Sequence, residues 1–183
     1  MAPPAIGDGV EWLVLVYQLS PKQASLRVAV RRKLSAAGAV YLSPACAAAP
    51  LSGPAERAMR RARATITSAG GFAVLLAARA LVGGPDLTEA FNAVRDSEYM
   101  DIVVGCSDAM TCIETLTAVR EFRYQPLWEK DIRLRQLSAR YKVVRDQDLY
   151  GARQGQAAVA ALAAYRIVLD EYASRVYAAD SRS

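Results

Sequence analysis

Residues 11–42 read EWLVLVYQLSPKQASLRVAVRRKLSAAGAVYL, and the fold follows from them. Residues 11–19 are a short apolar, β-branched and aromatic run that stops at Ser20-Pro21, which predicts a buried strand. Pro21 suits the first turn of a helix, with Ser20 as its cap. Leu26, Val30 and Leu34 recur at four-residue spacing and give that helix an inner stripe to about Ala37. Gly38 ends it, and residues 39–42 predict a second strand.

Downstream, Ser43-Pro44 turns the chain, and residues 45–49 (ACAAA) form a weak third strand, alanine being a poor strand former. Residues 55–69 predict a second basic helix after the Leu51–Pro54 loop, and Gly70-Gly71 stop it. Residues 72–81 (FAVLLAARAL) begin as a strand. The order is βαββαβ over about residues 11–82, the ferredoxin-like α+β sandwich. Residues 1–10 are expected to be a flexible tail. Residues 86–179 are expected to form a helical bundle or hairpin, packed as one unit with the sandwich. A helix over 86–122 should break near Gly105–Asp108, and a second break falls at residues 124–126. Leu127, Leu134, Leu137, Tyr141 and Val144 stripe a helix over 127–150. Leu162, Tyr165, Leu169, Tyr172 and Val176 stripe the last, over 154–179.

The 183 residues include no histidine, which removes Ser–His–Asp and Cys–His catalysis and the histidine zinc sites. Three cysteines, unevenly spaced, make no disulfide framework, so no metal or cofactor is expected and a reducing, cytoplasmic setting is. No apolar run approaches the ~20 residues that span a bilayer, so no membrane partner is expected. No glycine-rich stretch matches a phosphate-binding loop. The net charge is +5, yet residues 1–63 alone carry nine Lys/Arg against three acids. Such asymmetry points to an anionic partner such as nucleic acid, or to a solvated surface.

Several segments carry a resemblance. Residues 26–34 (LRVAVRRKL) with 38–42 (GAVYL), then 91–99 (FNAVRDSEY), 129–131 (EKD), 148–151 (DLYG) and 172–179, taken in order, resemble the N-terminal domain of the chromate-resistance regulator ChrB. The likeness covers about residues 11–179. It departs at residues 45–50, where the family has an aromatic-containing third strand, and at Arg31, where a tryptophan is common. The resemblance implies a chromate-responsive transcriptional regulator that binds DNA and an anionic signal. The alternative is a ChrB-like domain recruited as a histidine-free enzyme acting on a small metabolite.

Three groups of residues could carry chemistry. Arg27, Arg31, Arg32, Arg57, Arg60 and Arg61, with Arg63, would face outward from the two early helices and meet phosphates. In the helical half, Phe91, Arg95, Glu98 and Ile102 share a face. Arg95 and Arg145, with Asp131 and Asp148, could hold an anionic or polar ligand or lock helices together as ion pairs. In an enzyme, Glu98 or Glu129 would be the acid–base group and Tyr99 would orient substrate. Cys46 is the candidate redox thiol, an inert buried cysteine being the commoner outcome. A monomer or homodimer is expected.

Overall fold

The computed structural model describes residues 11–181, so the expected tail, residues 1–10, lies outside the described residues. The elements are β1 (Glu11–Gln18), a 3-10 turn (Pro21–Gln23), α1 (Ala24–Ala36), β2 (Val40–Ser43), β3 (Cys46–Pro50), α2 (Gly53–Ser68), β4 (Phe72–Arg79), α3 (Gly84–Ala118), α4 (Tyr124–Gln147) and α5 (Gly155–Asp180). The chain divides into two compact units after Phe91.

The first unit is the βαββαβ sandwich. Its antiparallel sheet has the order β2-β3-β1-β4, with β1 paired to β3 on one side and to β4 on the other. Alternation along β1 sends Leu13, Leu15 and Tyr17 to the face covered by α1 and α2. There they meet Val30 and Leu34 of α1 and Met59, Ala62 and Ile66 of α2. Complete burial of residues such as Leu15 and Ile66 contributes about 1.5–3 kcal/mol each. Trp12, on the opposite face, is buried edge-on to Phe91 with ring centroids 6.0 Å apart. β3 forms despite its alanines. Ala47 and Ala49 lie buried in the core between β1 and β2, where tertiary packing outweighs a poor strand propensity.

Both early helices start as their residues dictate. The Ser20 N–H donates to Gln23 Oε1 at 2.9 Å, while Ser20 Oγ accepts from Lys22 N–H, a capping box before α1. Ser52 Oγ accepts from the Ala55 N–H and caps α2.

The second unit packs α4 against α5 together with the later part of α3. Its core joins Ile102, Cys106 and Ile113 of α3 to Leu134, Leu137 and Val144 of α4 and Tyr165, Leu169, Tyr172 and Val176 of α5. The buried tyrosines satisfy their hydroxyls on backbone carbonyls: Tyr165 donates to Lys130 O at 2.7 Å, and Tyr172 to Glu121 O at 2.6 Å. Two sequence expectations are corrected here. α3 runs unbroken through Gly105, because the glycine serves close helix packing: a Cβ there would lie 2.9 Å from Leu137 Cδ2 and 3.0 Å from an Arg133 guanidinium nitrogen. α4 begins at Tyr124 rather than Leu127, since Pro126 falls in the first turn, where its missing N–H has no helical acceptor. The break between α3 and α4 lies just before, around Arg120, whose φ is +56°. No helix among the described residues is long and apolar enough to cross a membrane.

Candidate functional site

Two candidate sites emerge, one in each unit. In the second, the shared face of α3 presents Arg95, Glu98 and Tyr99 toward the end of α4 and the loop that follows it. Arg95 is only 1% exposed. Its Nε lies 3.1 Å from Glu98 Oε2, and one terminal nitrogen donates to Gln147 Oε1. Burial pushes the Arg95 pKa down, and the Glu98 and Asp148 carboxylates oppose that shift. Burial pushes the Glu98 pKa up, against the pull of Arg95 and Arg140. The Tyr99 hydroxyl donates to Asp148 Oδ2 at 3.2 Å, and burial followed by the Asp148 charge raises its pKa strongly. Asp148 also accepts the Ala152 N–H at 3.0 Å. Asp96 accepts the Gln154 N–H at 2.8 Å, immediately before α5.

The fold thus brings together four of the residues singled out by sequence: Arg95, Glu98, Tyr99 and Asp148. It keeps others apart. Glu129 and Asp131 lie 18 and 16 residues before Gln147 on α4, so they are about 27 and 24 Å away along a continuous helix. Glu129 accepts from Gln125, and Asp131 pairs with Arg135. Arg145 stays at the rim of the cluster: it is exposed and pairs with Asp146, 3.3 Å away, while its charge still reaches the Tyr99 hydroxyl. Gln147 and Asp96 are additions. Neither carries a local sequence signal, because their partners lie about 50 residues away in the chain.

The second candidate is the helical layer of the first unit. α1 and α2 together hold eight basic side chains and one acid, Glu56. The structure separates these cations by role. Arg27 is half-buried and donates to the carbonyls of Leu19 at 3.1 Å and Ser20 at 3.4 Å. Arg31 sits over the Tyr41 ring, 4.5 Å from its centroid. Arg60 pairs with Glu56 at 2.7 Å. Arg32, Arg57 and Arg61 are exposed. Cys46 is half-buried at the start of β3, and burial pushes its thiol pKa up, away from the reactive thiolate.

The model describing the family "Protein ChrB, N-terminal" matches residues 27–183, from α1 onward. The chain belongs to the ChrB N-terminal family. It is therefore a chromate-resistance-type protein, and the family match spans both units. Comparison with curated proteins and with solved structures returned no match. For this ChrB-type chain, the two sites differ in what they can do. Arg95 has its charge answered inside the protein, by Glu98 and Gln147. In the α1–α2 layer, Arg32, Arg57 and Arg61 keep their charge toward solvent.

Proposed function

We propose that this ChrB-type chain is a cytoplasmic DNA-binding regulator of the chromate response, with the outer side of α1 and α2 as its phosphate-contacting surface. One observation carries the reading. Arg32, Arg57 and Arg61 project from that layer, exposed and with no ion pair or hydrogen bond among the described residues, in helices whose only acid is Glu56. Guanidiniums so placed gain by displacing counterions from a nucleic-acid backbone. A buried arginine already held by a carboxylate and an amide gains much less from an incoming anion, so Arg95 is better read as a lock between α3 and α4.

Fluorescence anisotropy with a labelled duplex taken from upstream of the protein's own coding sequence tests this. The Arg57→Glu/Arg61→Glu double variant should lose affinity by about two orders of magnitude at low salt. Unchanged binding with a native circular dichroism spectrum would overturn the reading.

A further inference from the structure

The two edges of the sheet differ. β2 has four residues and an irregular register between Tyr41 and Ser43. Short length and a bulge both blunt an edge against further pairing. β4 has neither protection. It runs eight residues, FAVLLAAR, in unbroken register with β1, without proline and without charge before Arg79. Among the described residues β4 pairs with β1 alone, so along residues 72–78 no strand takes up the N–H and C=O groups of its other edge. Phe72 and Leu76 are 61% and 47% exposed beside that edge.

A groove of about 500 Å³ runs along the same edge. Five consecutive β4 residues, 73–77, form one wall, and Glu56, Arg60 and Arg63 of α2 form the other. Helical geometry explains why these three share a wall. Ala55, Met59, Ala62 and Ile66 face the core. At 3.6 residues per turn, positions 56, 60 and 63 fall on the flank beside them, while Arg57 and Arg61 fall on the outer side.

We propose that the β4 edge docks an extended segment of a partner protein in which acidic and apolar residues alternate. The added strand would hydrogen-bond to β4 through its backbone. Its side chains would alternate between the two faces of the sheet. One set lies on the α2 face, within reach of Arg60 and Arg63, and is acidic. The other lies beside Phe72, Val74 and Leu76 on the opposite face and is apolar. Glu56 engages Arg60, so the groove retains net positive charge. A second copy of this chain fits less well. Antiparallel pairing of β4 with its own copy preserves the faces of the sheet, so Arg60 and Arg63 of both copies would converge on one side.

The test uses the full chain and a labelled, end-blocked octapeptide of alternating glutamate and valine. Controls are a peptide of the same composition in two blocks and an alternating lysine–valine peptide. The alternating acidic peptide should bind at least about tenfold tighter than either control, and Arg63→Glu should remove about tenfold or more of that affinity with the fold intact. Hydrogen exchange should show new protection confined to residues 72–79. Leu76→Lys, which charges the edge as natural sheets do, should also weaken binding. Arg57→Glu/Arg61→Glu changes a different side of α2 and should leave the β4 protection in place, which keeps this test separate from the DNA experiment. Any of four results would overturn the proposal: no binding, equal binding of the block peptide, binding unchanged in Arg63→Glu, or protection outside β4. So would a dimer in sedimentation velocity that Leu76→Lys dissociates, since a second copy would then occupy the edge.

Discussion

The Tyr99 hydroxyl donates to the Asp148 carboxylate at 3.2 Å, and the same carboxylate receives the Ala152 N–H at 3.0 Å. One side chain thus ties the middle of α3 to the loop between α4 and α5. The Tyr99 ring adds a packing role, lying 5.8 Å from the Tyr141 ring centroid and against Gly155, where a Cβ would sit 3.5 Å from it.

Tyr99→Phe keeps the ring and removes the hydroxyl. Asp148 retains its backbone donor, so the loss should be that of one hydrogen bond to a charged group, about 1.5 kcal/mol. Asp148→Ala removes both bonds and should cost about twice as much. Urea unfolding of the two variants and of the double variant measures this. The double should cost no more than Asp148→Ala plus the small effect of the phenylalanine, since the interaction is shared.

Glu98 gives a pH dependence of defined sign. Its folded pKa is raised, chiefly by burial. Between the free glutamate value of about 4.3 and the raised folded value, the folded state holds the proton more tightly than the unfolded state does. This contribution is therefore fully present below the window and falls as pH rises through it. Glu98→Gln should flatten that slope in urea melts across the acid range. Because burial outweighs the pull of Arg95, the folded state favours the neutral side chain, so at neutral pH the glutamine variant should be no less stable than the parent.

Legibility in the sequence followed the range of the physics. β1 and α1 were readable because periodicity is a local signal, and β3 was readable from element order even though its alanines argue against a strand. Gly105 was not readable: a glycine that ends a helix and one that lets a neighbouring helix approach look the same in one dimension. In the α3 cluster, the common face of Phe91, Arg95, Glu98 and Ile102 was visible, since it depends on one helix alone. Which α4 residues meet it depends on how far along α4 the contact falls, and the length of the helix puts Glu129 and Asp131 out of reach. The early arginines read as one patch because their count is local, while their division into capping, stacking, groove and outer groups depends on tertiary partners such as Leu19 O and Tyr41.

Gly105→Ala tests the corrected reading of α3. If the glycine interrupted the helix, alanine would stabilise it by about 1 kcal/mol. The added methyl instead meets Leu137 Cδ2 at 2.9 Å, with Arg133 at 3.0 Å on its other side. Leu137 is buried and can yield little, so overpacking of about 1–3 kcal/mol should dominate, and the melting temperature should fall. Gly71→Ala should be worse, because two of its close neighbours are the Gln18 carbonyl at 2.9 Å and the buried Ile66 at 2.8 Å.

Arg27 and Arg32 share a helix and a charge, yet they should report on different properties. Arg27 spends its guanidinium on the Leu19 and Ser20 carbonyls, where β1 hands over to α1. Arg27→Ala should therefore lower stability by about 1 kcal/mol while leaving the salt dependence of DNA binding nearly unchanged. Arg32 is exposed on the outer side of α1, so Arg32→Ala should leave the unfolding midpoint within experimental error. It should instead reduce the slope of log K against log salt by about 0.9, the value of one phosphate contact. Thermal melts and salt titrations on both variants give four readings. The DNA reading requires the slope to move with Arg32 and the melt to move with Arg27; the reverse pattern would place the phosphate contact at the strand–helix junction instead.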